Sequence, residues 1–306
     1  MSNNSRLNVN FCGVDFKNPV VPASGTFGYG REYEEFYPLS ELGGISVKGT
    51  TLHRREGNPG PRVAETPSGM LNSVGLQNGG VDKFLNYELP NLVTKDTRII
   101  ANIAGATVEE CAELASKLKG SAVDMIELNI SCPNVKQGGA AFGTDCTVAG
   151  AVTAAVKKAT DKPLMVKLSP NVTSITDIAK SVEANGADAV SLINTLLGMR
   201  IDIKNRRPIL KNNVGGLSGP AVFPVAVRMV WQVSNAVKIP VMGMGGISTW
   251  EDAIEMMMAG ASAVQVGAAI FSNPYAPIEI IDGMNKWCDD NGIKNISEIV
   301  GTVQPW

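Results

Sequence analysis

The amino-acid sequence predicts an α/β protein, a (β/α)8 TIM barrel with an N-terminal β-hairpin and long loops at the C-terminal face of its strands. Three observations predict it. Short apolar runs alternate with helix-like stretches, and a crossover between parallel strands needs a helix-sized connection, so the runs read as one parallel sheet. Eight such runs lie near residues 19–23, 43–48, 98–103, 124–130, 163–168, 188–194, 239–243 and 262–267, and eight strands close a barrel. Several of them end in a polar side chain: Lys48, Asn102, Asn129, Lys167 and Asn194. A barrel draws its catalytic groups from the carboxyl ends of its strands. A doubly wound open sheet is the main competitor, but it would gather its ligand at a single switch point instead of around a ring.

Along the chain, residues 7–11 and 14–16 flank Cys12-Gly13 and read as a hairpin across the opposite barrel mouth. Helix-like stretches occupy 107–119, 147–159, 175–185, 221–237 and 249–259. Two of them open with capping boxes, Thr107-x-x-Glu110 and Ser248-x-x-Glu251. The fourth strand runs into a polar knot, Asn129-Ile-Ser-Cys-Pro-Asn134. Pro133 disfavours helix at Cys132, so the thiol belongs to an extended segment that stops abruptly. Three connections, 49–81, 133–146 and 195–219, are too long for ordinary barrel loops, and all leave the polar end. Connections of that length are usually lids or binding loops.

Glycine placement suggests what the barrel holds. Gly243, Gly245 and Gly246 follow the seventh strand and open a capped helix, while Gly267-Ala268 ends the eighth. Loops after strands seven and eight form the usual phosphate pocket of this fold, where backbone N–H groups approach the anion. A tight turn alone would also explain either glycine group; the matching pair favours phosphate. Neither Gly243-x-Gly245 nor Gly28-x-Gly30 completes a dinucleotide fingerprint, because Ser248 and Tyr33 stand where the third glycine belongs.

The length of 306 residues suits one domain spanning 1–306, the roughly 250 residues typical of a barrel plus extended loops. Five cysteines without paired spacing read as reduced intracellular thiols. With no signal-type or membrane-length apolar run, the expectation is a soluble cytoplasmic protein. A net charge of −2 with scattered signs offers no footprint for nucleic acid. Local basic clusters at 53–55 and 200–211 read as solvated loops, with partner docking or a lid as the alternative.

The available chemistry is narrowed by elimination. His53 is the only histidine and sits in a loop beside two arginines, so histidine-ligated metal clusters and serine–histidine–aspartate machinery lack material, and no metal site is expected. A Cys132–His53 pair is left open, although nothing specifies their contact. What is left is two lysines, several amides, a thiol and a phosphate pocket, a set that needs a phosphorylated cofactor to perform redox chemistry. Flavin mononucleotide (FMN) suits it.

Asn129-Ile-Ser-Cys-Pro-Asn-Val-Lys-Gln-Gly-Gly139 with Phe142-Gly-Thr144, Asn72-Ser-Val-Gly-Leu76, Ser46-Val-Lys-Gly49 and Gly243-Met-Gly-Gly-Ile-Ser248 closely resemble the class 1 dihydroorotate dehydrogenases. The similarity runs from the hairpin to about residue 290. The Lys136-x-Gly-Gly-x-x-Phe-Gly form of the catalytic loop is similar to the NAD-linked subclass. In that subclass an FMN subunit, expected as a homodimer, works with a partner subunit carrying FAD and a 2Fe-2S cluster in a heterotetramer. The fumarate-reducing homodimers are the alternative subclass.

The resemblance implies one FMN per chain, held by Ser24, Lys48, Gly49, Asn102, Asn129, Lys167, Ile193, Gly219, Gly245, Gly246, Gly267 and Ala268. It implies substrate contacts from Lys48, Asn72, Ser73, Val74, Gly75, Leu76, Asn129, Asn194 and Thr195. Cys132 matches the family's catalytic base, and Lys48 is placed beside it in the catalytic set. In the family, (S)-dihydroorotate loses a proton from C5 and a hydride from C6 to give orotate, a step of pyrimidine biosynthesis. Cys12, Cys111, Cys146 and Cys288 are expected to pack as small hydrophobes.

Other classes stay in view. A flavin-independent barrel synthase or isomerase would use the same loops on a sugar phosphate. A tRNA-modifying flavin barrel should carry a broad basic surface, absent from this composition. A non-catalytic binding module gives no reason for two lysines and a thiol to meet.

Overall fold

The computed structural model describes residues 4–131 and 142–306. Its centre is an eight-stranded parallel sheet. The strands are β1 (Val20–Pro22), β2 (Gly44–Ser46), β3 (Arg98–Ile103), β4 (Met125–Asn129), β5 (Leu164–Lys167), β6 (Ala189–Leu192), β7 (Val241–Met244) and β8 (Ala263–Val266). From β2 to β8 each strand pairs with the next in sequence, and β8 pairs with β1 in register Gln265↔Val21. Between β1 and β2 the ladder is replaced by one backbone bond, Gly43 N to Val20 O at 3.2 Å. Buried Asn18 staples the same seam. Its Oδ1 accepts from the N–H of Gly43 and of Val20, and its Nδ2 donates to Glu41 O. A Cβ on Gly43 would lie 2.0 Å from the Asn18 carbonyl oxygen, so the ring closes here because residue 43 has no side chain.

Four of the longer helices between the strands begin where a short polar residue satisfies an orphan N–H group. The longer helices are α1 (Val108–Leu118), α2 (Cys146–Ala159), α3 (Ile175–Ala184), α4 (Phe223–Ser234) and α5 (Trp250–Met258), each close to its expected span, and α6 (Ala276–Asp290), which follows β8. Thr107, Asp145, Ser174 and Thr249 cap α1, α2, α3 and α5. Both expected capping boxes need correction. The second is shifted by one residue: Thr249 Oγ1 accepts from Asp252 N and Asp252 Oδ2 accepts from Thr249 N, displacing the pair Ser248 and Glu251. At α1 the Thr107 cap forms, but Glu110 reaches back to Ala106 N instead of the cap residue.

The hairpin pairs Val9–Phe11 with Val14–Phe16, and its Phe11 and Phe16 rings are fully buried. Cys12 Sγ donates to the carbonyl of Asp188, just before β6, and Arg98 at the start of β3 donates to Asp15 O. These contacts set the hairpin against the amino-terminal ends of the strands, as expected of a plug. At the other end, two of the long connections are not loops alone. Val63–Thr66 and Gly69–Asn72 from the connection after β2 join Leu196–Gly198 and Gly215–Ser218 from the connection after β6 in a four-stranded antiparallel sheet. Among the described residues, no helix is long and apolar enough to cross a membrane.

Candidate active site at the carboxyl ends of the strands

The strand ends and the added sheet enclose a cavity of about 260 Å³. Lys48 follows β2, Asn102 lies in β3, Asn129 ends β4, Lys167 ends β5, and Ile193, Asn194 and Thr195 follow β6. All seven line the cavity. Ser24, Gly49, Asn72, Val74, Gly75, Leu76, Gly219, Gly245, Gly246, Gly267 and Ala268 line it as well. Ser73 does not: it is buried behind the wall, with its N–H bonded to Arg62 O. Cys132 lies outside the described residues, as does most of the 133–146 connection. His53 and the basic 200–211 stretch do not line the cavity; Arg200 donates to Glu65 O and so ties the two halves of the added sheet.

The wall is built by local bonds. Asn78 holds the connection after β2 in shape, accepting from Thr51 N and Gly80 N and donating to Leu76 O, and Asn72, Val74, Gly75 and Leu76 face the cavity. Across the cavity, Ser131 Oγ donates to Asn129 Oδ1, and Asn194 Nδ2 donates to Ser131 Oγ at 2.5 Å. Asn194 Oδ1 accepts from Thr195 N. With its carbonyl oxygen engaged, Asn129 has an amino group without a partner among the described residues.

At the ends of β7 and β8 the N–H groups of Gly245, Gly246, Gly267 and Ala268 have no hydrogen-bond partner among the described residues. Gly245 and Gly246 have φ of 122° and 80°, and a Cβ on Gly246 would come within 2.9 Å of Phe223 and of Gly219 O. Only glycine makes this turn without moving its neighbours. Four free amide donors around a glycine turn are the chemistry of an anion cradle.

Beneath the cavity lies a buried carboxylate, Glu127 of β4. It accepts from Ser46 Oγ and Asn102 Nδ2 on one oxygen, and from Ser191 Oγ and Gln265 Nε2 on the other, at 2.6–2.9 Å. Burial pushes its pKa up, but the Lys167 ammonium and the bonds from Asn102, Ser191 and Ser46 outweigh burial and hold it below the usual carboxylate range. Lys48 is half-buried; burial, then the nearby Arg62 charge, lowers its pKa from the ordinary lysine value. Glu127 and Gln265 are absent from the site set expected from sequence. The available signal was polarity at positions where an interior strand should be apolar, Glu127 within Met-Ile-Glu-Leu and Gln265 within Ala-Val-Gln-Val.

The cysteines divide. Cys111 and Cys288 are buried and Cys12 is partly so, whereas Cys146, in the first turn of α2, is exposed and corrects the expectation of packing.

A (β/α)8 barrel with two lysines, inward amides and free glycine amides around a cavity at its strand ends has the architecture of a barrel enzyme. Residues 6–287 match the family model described as dihydroorotate dehydrogenase, and the chain belongs to that family of oxidoreductases. A protein of Parabacteroides distasonis is 57% identical over 98% of each chain. One of Alkaliphilus metalliredigens is 56% identical over 97% of this chain and 98% of its own. One of Bacteroides fragilis is 55% identical over 97% and 99%. All three relatives carry the name dihydroorotate dehydrogenase B (NAD(+)), catalytic subunit.

Proposed function

We propose that residues 1–306 form one FMN-binding barrel domain that oxidises (S)-dihydroorotate to orotate in pyrimidine biosynthesis and passes the electrons, through a partner subunit, to NAD+. The observation that carries this reading is the convergence of Lys48, Lys167, Asn72, Asn102, Asn129 and Asn194 on one cavity beside the free glycine amides, in a chain of this family. Gly245, Gly246, Gly267 and Ala268 would hold the FMN phosphate. Ser24, Gly49, Asn102, Lys167, Ile193 and Gly219 would hold the rest of the molecule. When bound, FMN supplies a two-electron acceptor for the hydride leaving C6 of the substrate.

The chain's own residues do the remainder. Lys48, Asn72, Val74, Gly75, Leu76, Asn194 and Thr195 bind the dihydropyrimidine carboxylate, for which amides offer both donors and acceptors and lysine a counter-charge. Cys132 takes the proton from C5. That proton lies α to a carbonyl, so its removal builds charge on the carbonyl oxygen that the amino group of Asn129 or the ammonium of Lys48 stabilises. A free thiol with a pKa near 8.5 is mostly protonated at neutral pH, and a neighbouring ammonium brings it closer to a useful base.

The relatives' shared name, catalytic subunit, supports a partner, for which we infer an iron–sulfur subunit carrying FAD, joined to a homodimer of this chain in a heterotetramer. The lack of paired spacing among the cysteines supports a cytoplasmic location. Purification from the native source tests the whole reading. Expected are FMN in a 1:1 ratio with this chain, a co-purifying iron–sulfur flavoprotein, and dihydroorotate oxidation coupled to NAD+. A colourless protein would overturn it, and turnover with fumarate but not NAD+ would move the chain to the other subclass.

A further inference from the structure

Glu127 is an acceptor at all four of its lone-pair positions, and the cavity lies directly above two of its donors. A carboxylate cannot donate, so the amides of Asn102 and Gln265 must face it with their nitrogen ends. Each amide then has its oxygen turned away. Both residues are completely buried, both line the cavity, and neither Asn102 Oδ1 nor Gln265 Oε1 has a hydrogen-bond partner among the described residues. Buried carbonyl oxygens are seldom left without a donor, so two of them on residues lining one cavity imply donors that arrive with a ligand.

We infer that Glu127 is a positioning residue that fixes Asn102 and Gln265 with their carbonyl oxygens toward the cavity, and that Gln265 thereby joins Asn102 as an acceptor for an N–H or O–H group of the bound cofactor. This inference rests on the FMN reading above, since that molecule carries an imide N–H and ribityl hydroxyls. It makes the carboxylate at the barrel centre a determinant of ligand polarity, one layer removed from the ligand itself.

Glu127→Gln tests it, because shape and volume are kept while donor arithmetic changes. A glutamine offers one oxygen to two of the four donors and an amino group to the other two. The hydroxyl facing that amino group, Ser46 or Ser191, can rotate to accept, but the amide facing it must flip. One cavity acceptor then becomes a donor. The apo wild-type chain should take up FMN, read by quenching of its fluorescence, and E127Q should bind about tenfold more weakly or worse, with a shifted visible flavin band. The double variant E127Q/N102D should recover most of that affinity. Its new carboxylate at position 102 cannot donate, so the introduced amide at position 127 must turn its amino group there, and the second carboxylate oxygen again faces the cavity.

Equal FMN affinity in E127Q and wild type would overturn the inference, as would a weakened E127Q that the double variant does not rescue. Absence of FMN binding by the wild-type chain would instead overturn the function itself, and this inference with it. Should E127Q not fold, Gln265→Met keeps the carboxylate and its other three donors; FMN binding weakened severalfold is expected, and undiminished binding contradicts the role given to Gln265.

Discussion

Ser131 Oγ stands between two amides, donating to Asn129 Oδ1 at 2.7 Å and accepting from Asn194 Nδ2 at 2.5 Å. The end of β4 is thus clamped to the residue that follows β6, at the last described position before Cys132. Ser131→Ala removes the clamp while leaving Asn129 Oδ1 its bond from the residue 131 N–H. Steady-state kinetics should show kcat/KM for dihydroorotate falling about ten- to a hundredfold, the cost of roughly one to two hydrogen bonds. Flavin content should be retained. An unchanged kcat/KM would mean that the clamp does not orient the substrate amides.

Lys48 makes a prediction in pH. Its folded pKa lies below 10.5, because burial, then Arg62, disfavours the charged form. A carboxylate ligand favours the ammonium, so orotate affinity should be highest while Lys48 is protonated and should decline as pH rises through the lowered value. Calorimetric titrations should therefore show the decline beginning below the ordinary lysine range. Lys48→Arg, which keeps its charge there, should show a flatter profile. Parallel profiles for the two proteins would remove Lys48 as the carboxylate's counter-charge.

The barrel seam yields a stability prediction. Gly43→Ala places a methyl group against the carbonyl of Asn18, so urea unfolding should show a loss of about 1–3 kcal/mol. Replacing Gly13 in the hairpin turn, where a Cβ meets nothing within 4 Å but φ is +80°, tests strain without a clash and should cost less.

The thiols should sort by accessibility. Burial pushes Cys12 and Cys111 up to about 12, and Asp188 adds to the effect at Cys12. At pH 8 a colourless-to-yellow thiol reagent should label exposed Cys146 quickly and these two slowly in the native protein. Peptide mapping in a Cys132→Ala background would show it, and fast labelling of Cys111 would contradict the packing of α1.

The barrel was legible because its signal is local. Each strand is an apolar run bounded by turn residues, and polar endings such as Lys48 and Lys167 marked one face of the ring. The added sheet was hidden because the pairing that joins its two halves, Gly69–Asn72 with Gly215–Ser218, links segments far apart in sequence, where pairing leaves little local trace. The cavity-lining residues lay within contiguous motifs, which is why most were found. Glu127 and Gln265 were passed over because each looks like an isolated interruption of an apolar strand; their meaning depends on Ser46, Asn102 and Ser191 arriving from three other strands. The shifted cap at Thr249 shows the same limit on a smaller scale, since adjacent Ser and Thr residues with adjacent Glu and Asp residues offer two overlapping boxes.

The central claim is that this cavity oxidises dihydroorotate with Cys132 as the base. Anaerobic rapid mixing of the flavin-loaded chain with dihydroorotate, followed at the visible flavin band, tests it most directly. The expected result is rapid bleaching with one orotate formed per flavin, and bleaching slowed by orders of magnitude in Cys132→Ala with its flavin still bound. A flavin-loaded wild-type chain that dihydroorotate does not bleach, or a Cys132→Ala variant as fast as wild type, would contradict it.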